Sequence, residues 1–145
     1  MKEFYQISQK EKERIIQKTS LFLEKQKEIS FAFIFGSFLE EKPVTFRDID
    51  IGIFLNPLTI DKDKTFDYET SLAIQLSKLI SFPADHLDII VLNFTSKMFQ
   101  NNIFSHGFLL FAKDLNLLTS LIEETSSEAI INYEFSKQSL LELLT

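Results

Sequence analysis

Apolar positions along this chain switch between a helical and a strand period, and the switches divide it into elements. Ser8-Gln9-Lys10-Glu11 has capping-box spacing, and Ile15, Ile16, Phe22 and Leu23 then fall near one side of a predicted helix ending around Glu28. Phe31 to Phe35 is a short, nearly continuous apolar run that stops at Gly36, as a buried strand would. The mixed segment from Phe38 to Arg47 contains a turn at Glu40-Glu41-Lys42-Pro43 and has room for a short helix after Ser37. Asp48 to Leu55 alternates strictly and is closed by Asn56-Pro57, which predicts a second strand. After a polar loop from Thr59 to Lys64, Leu72, Leu76, Leu79 and Ile80 recur at helical spacing, and Pro83 ends that element. Leu87 to Leu92 reads as a third strand, Ser96 to Phe104 as a short helix and Phe108 to Phe111 as a fourth strand. Leu115 to Leu144 is helical in pattern, with a break available at Thr125-Ser126-Ser127.

Strands separated by helices indicate an α/β (α+β) fold, a small mixed β-sheet flanked by helices. With 145 residues, 45% of them apolar, and neither repeat nor linker, residues 1–145 are expected to form one domain with N-terminal and C-terminal helices. The net charge of -6 without a lysine or arginine block argues against a broad nucleic-acid surface. The lack of cysteine excludes a disulfide framework, a thiol nucleophile and thiolate zinc sites, and His86 and His106 are too few for a histidine-rich metal site. A charged start without an apolar core, and no apolar run near the ~20 residues of a membrane span, lead to the expectation of a cytoplasmic protein. The 16 phenylalanines read as core filling.

Candidate chemistry concentrates at Gly36-Ser37 and, after ten residues, Asp48-Ile49-Asp50. On a strand, Asp48 and Asp50 share one face while Ile49, Ile51, Ile53 and Leu55 take the other. Such paired carboxylates repel unless they are solvated or share a cation, and Mg²⁺ takes oxygen ligands while leaving positions open for substrate phosphates. Gly36 suits a turn whose amides approach a phosphate, and Ser37 adds a hydroxyl. Gly52, on the same strand face as the acids, is expected to leave room for a ligand. Asp88, inside the apolar run Leu87 to Leu92, needs water, a hydrogen-bonding group or a metal beside it. Asp85 and His86 read as loop residues, His106 as a helix-end residue, Arg47 as pointing away from the acids, and Glu123, Glu124 and Glu128 as a solvated face.

Phe33-Ile34-Phe35-Gly36-Ser37, Arg47-Asp48-Ile49-Asp50-Ile51 and Leu87-Asp88-Ile89-Ile90-Val91 together resemble the minimal nucleotidyltransferases of the DNA polymerase beta-like superfamily, from about Ile29 to Phe111. His106 to Phe111 is similar to that family's closing helix-to-strand passage. The resemblance implies transfer of AMP from ATP with release of pyrophosphate, dependent on Mg²⁺ or Mn²⁺. It implies metal binding by Asp48 and Asp50 with Asp88 as the third acid, activation of the attacking hydroxyl by Asp88, and binding of the β- and γ-phosphates by Gly36 and Ser37. It further implies an antitoxin whose partner is a helical HEPN toxin modified on a tyrosine. The alternatives are a catalytically degenerate, protein-binding antitoxin and a small-molecule nucleotidyltransferase resembling the aminoglycoside-modifying enzymes, which usually carry an additional substrate-binding domain. A homo-oligomer is compatible with each. Many members follow Gly-Ser with an arginine and a further glycine, whereas here Phe38-Leu39-Glu40-Glu41 follows, placing acid where a triphosphate prefers a cation.

Overall fold

A computed structural model of the chain describes residues 4–39 and 45–126. The turn expected at Glu40-Glu41-Lys42-Pro43, Glu128 and the helix expected beyond Ser126 lie outside the described residues. The elements run β1 (Tyr5–Gln6), α1 (Gln9–Glu24), β2 (Ile29–Phe35), a 3₁₀ turn (Ser37–Leu39), β3 (Thr45–Phe46), β4 (Ile49–Leu55), α2 (Thr65–Ile80), β5 (Leu87–Val91), α3 (Lys97–His106) and β6 (Phe108–Ala112). A further helix, α4, occupies 115–126, so Thr125 and Ser126 are still helical.

Local chemistry sets the boundaries. Ser8 caps α1 by accepting from the Glu11 amide at 3.1 Å, and Ser96 caps α3 by accepting from the Phe99 amide at 3.1 Å. α2 ends before Pro83 because Ser81 turns left-handed, at φ 57°, and its N–H returns to the Ser77 carbonyl. Arg14 of α1 donates to the Ile80 carbonyl at 3.0 Å, which satisfies an acceptor at the end of α2 and fastens the two helices together.

The main sheet has the order β5-β4-β2-β6. β2 pairs antiparallel with β4 and β6, whereas β4 and β5, joined through α2, are parallel, so the sheet is mixed. The position of β2 between two partners explains its nearly unbroken apolar run, since both faces and both edges are covered. One face packs Ile34, Ile49, Ile51 and Ile53 against Ile15 and Leu23 of α1 and Leu72, Leu76 and Ile80 of α2. Leu79, which shares the helical spacing, is 44% exposed. The other face packs Phe31 and Phe33 with Leu92, Ile103 of α3 and Leu118 of α4. A separate antiparallel ladder pairs Tyr5 with Phe46 and Gln6 with Thr45, which ties the start of the described chain to the segment that leads into Asp48.

Candidate active site

The site lies at one end of the sheet, where β2 ends and β4 and β5 begin. Ile49 and Ile51 anchor β4 in the core and send Asp50 to the opposite face. The parallel register sets Asp50 directly beside Asp88, and the antiparallel register sets it beside Phe35, the residue before Gly36. Two strand pairings therefore bring residues 36, 50 and 88 together. Asp88 is exposed, so the acid inside an apolar run faces water.

Gly36 has φ +83°, and a Cβ there would collide with Asp50 Oδ2. Both its backbone conformation and its contact with the carboxylate require glycine. The Leu39 amide returns to the Gly36 carbonyl at 3.1 Å, which closes the turn that carries Ser37. Phe38, fully buried, holds this turn by stacking edge-on against Phe46 at 4.9 Å between ring centroids.

Asp50 is half-buried and its carboxyl is pushed up to about 6, first by burial, then by the charges of Asp88 and Asp48 and a hydrogen bond with Asp88. Asp48 stands just before β4 rather than in it, and its carboxylate is directed by a partner outside the strand. His86 Nδ1–H donates to Asp48 Oδ1 at 2.9 Å. Among the described residues, no three carboxylate, imidazole or thiol side chains form a ready-made cage for an ion. Mg²⁺ does not need one, because it is commonly held by one or two carboxylates together with water and substrate phosphates. The donor set fits such an ion: it presents oxygen atoms, and a cation beside Asp50 would relieve the crowding that raises its pKa.

Two clefts flank the acids. One, of about 400 Å³, lies between α2 and β5 and is lined by Phe66, Glu69, Ile74, Ala84, Asp85 and Asp88. The other, of about 410 Å³, is lined by Phe35, Gly36, Leu39, Asn102, Ile103 and His106. Gly36 and Asp88 therefore open to opposite sides of Asp50. Glu69 accepts the Val91 amide at 2.7 Å, which covers a donor on the edge strand that carries Asp88, and burial raises its pKa.

Several sequence expectations change here. Gly52 leaves no room for a ligand, because the side chain of Leu92 stands 3.0–3.2 Å from where its Cβ would be. Its small size admits Leu92, and this packing closes the floor of the site. His86, expected as a loop residue, does sit in a short turn, Ala84–His86, but its ring contacts Asp48. No sequence spacing signals that contact; the Tyr5 ring that meets His86, itself packed on Phe46 and Phe82, is equally hard to foresee. Asp85 is exposed and lines the cleft beside Asp88. His106 behaves as a helix-end residue, with Nδ1 on the Asn102 carbonyl at 3.1 Å, and also lines the cleft beside Gly36. Arg47 is exposed.

No curated protein matches this sequence. Solved structures match its fold. An MNT antitoxin in complex with the tri-AMPylated HEPN toxin of Shewanella oneidensis aligns with TM-score 0.64 and 16% identity over 92% of this chain and 99% of the other. The MntA–HepT toxin–antitoxin aligns with TM-score 0.60 and 16% identity over 95% and 100%. A toxin–antitoxin structure with AMP-PNP aligns with TM-score 0.59 and 14% identity over 96% and 100%. Residues 17–116, which contain Asp48, Asp50, Asp88 and the glycine turn, match the Polymerase beta, Nucleotidyltransferase family, and the chain therefore belongs to that family.

Proposed function

We propose that this protein is an antitoxin of one domain, residues 1–145, acting in the cytoplasm, which transfers AMP from ATP to a hydroxyl, that of a tyrosine on a helical HEPN toxin. The observation that carries this reading is the pairing of Asp50 with Asp88 across adjacent strands, with Gly36 pressed against the Asp50 carboxylate. The family membership and the AMPylated partner of one structural relative support it.

In this reading Asp48 and Asp50 would hold Mg²⁺ or Mn²⁺, with Asp88 as the third acid. Two divalent ions bound there would supply charge stabilisation for the attacking and the leaving oxygen of an in-line displacement. Gly36 and Ser37 receive the β- and γ-phosphates, Gly36 from the cleft it lines with Phe35 and His106. Asp88 takes the acceptor's proton, so the acceptor approaches from the cleft between α2 and β5. The acceptor oxygen bonds to the α-phosphorus, the bond from that phosphorus to the bridging oxygen breaks, and pyrophosphate leaves.

The test is incubation with α-labelled ATP, Mg²⁺ and an extract of the source organism, with Asp48→Asn in parallel. A labelled protein that disappears with the variant is expected. Absence of label, or equal labelling by both proteins, would overturn the reading. One observation favours a second reading, partner binding without catalysis: the position after Ser37 is Phe38, whose ring lies in the core and offers a triphosphate no charge. ATP binding measured by calorimetry separates the two, since a purely binding antitoxin would show none.

A further inference from the structure

We propose that His86 is a positioning residue that orients Asp48 for divalent-cation binding, an inference that rests on the nucleotidyltransferase reading of the site. Asp48 precedes β4, so the strand ladder does not fix its side chain. Its side chain is 40% exposed, whereas that of His86 is 19% exposed, so the imidazole is the better anchored of the two. The anchoring is aromatic. Tyr5 meets His86 edge-on at 5.4 Å between centroids, Phe82 lies 4.8 Å from Tyr5, and Phe46 stacks on Phe82 at 5.8 Å. Tyr5 is the ring that meets the imidazole, and Phe46 of β3 and Phe82 of the turn after α2 hold Tyr5 in turn, so the ring that fixes the imidazole is itself packed by two other segments.

The bond itself has one polarity. A carboxylate only accepts, so Nδ1 carries the hydrogen and Asp48 Oδ1 receives it. That occupies one oxygen of Asp48 and leaves Oδ2 for an ion. Without His86 a half-exposed aspartate samples several rotamers, and the ion must order it on binding. His86 also lies two residues before Asp88, so the turn that delivers the third acid to the sheet delivers the residue that aims the first. Hydrogen-bonding partners of metal-binding carboxylates typically change metal affinity or activity by about 10–100-fold when removed.

The experiment is Mn²⁺ binding to the full chain, followed by the loss of the free-ion paramagnetic signal, together with the Mg²⁺ concentration that half-saturates AMP transfer. His86→Phe keeps a ring among the aromatics and removes the donor; it should weaken Mn²⁺ binding about tenfold or more. His86→Asn places an amide N–H near the position of Nδ1 and should recover most of the affinity. His86→Gln places it near Nε2 and should not. Unchanged or tighter Mn²⁺ binding by His86→Phe overturns the inference. If His86→Phe does not fold, equal affinities of the Asn and Gln variants overturn it instead. Asp50→Asn serves as the control for the site: Mn²⁺ binding that Asp50→Asn leaves intact overturns the metal reading of these acids, and the role of His86 with it. Loss in Asp50→Asn with no change in His86→Phe removes only the role of His86.

Discussion

Replacing Asp50 by asparagine should make the metal-free protein more stable, although it removes a proposed catalytic group. In the folded chain the carboxyl is raised from the usual 3.8 to about 6. The folded state therefore binds its proton more tightly than the unfolded state, and folding is penalised as the group ionises. The penalty is absent below the unfolded value, grows as pH rises from about 4 to 6, and is complete above that range. The full rise corresponds to a ceiling of about 3 kcal/mol, which screening by solvent at this half-buried position reduces to about 1–2 kcal/mol. For a chain of this size that is roughly 3–6 °C in melting temperature. Thermal melts of wild type and Asp50→Asn in EDTA, at pH 8 and at pH 4.5, provide the assay. The variant should melt higher at pH 8, and its advantage should shrink at pH 4.5. Added Mg²⁺ should raise the wild-type melting temperature and not that of the variant. A variant no more stable than wild type at pH 8, or an advantage independent of pH, would refute the claim that Asp50 is held in a crowded, partly desolvated carboxylate group.

Asp88→Asn should reduce AMP transfer more than ATP binding, read as single-turnover rate against calorimetric affinity; equal losses would assign it to binding or structure. Gly36→Ala should lower stability by about 1–3 kcal/mol in urea titrations and abolish ATP binding, because the left-handed backbone and the Asp50 carboxylate both reject a Cβ. Asn93→Ala should destabilise by about 1–3 kcal/mol, since the Asn93 amide accepts from the Leu55 N–H at 2.8 Å and donates to the Leu55 carbonyl at 2.9 Å. Leu92→Ala should cost about 2–5 kcal/mol and leave a void over Gly52.

The sheet was largely legible because its strands carry unambiguous patterns. The alternation of Ile49, Ile51, Ile53 and Leu55 orients Asp50, and the unbroken run in β2 marks its central place. The helix between β4 and β5 makes a parallel pair natural, and that pairing places Asp50 beside Asp88. What escaped depends on contacts without local periodicity. β1 and β3 are two residues each, too short to alternate, and Asp48 reaches His86 across 38 positions through a 3₁₀ turn. Gly52 misleads for a related reason: a glycine beside acids suggests space, and only the fold shows that Leu92 occupies it.

The place of β2 at the centre of the sheet governs the order in which the chain becomes safe from self-association during synthesis. β4 follows soon after it, but the other edge of β2 is covered only by β6, where Ile34 pairs with Phe108 and Phe31 with Ala112. Until then the most apolar strand presents an open row of amides and carbonyls, a template for a second copy. A fragment cut after β5 would retain residues 36, 37, 48, 50, 86 and 88, yet it should aggregate rather than serve as a minimal enzyme.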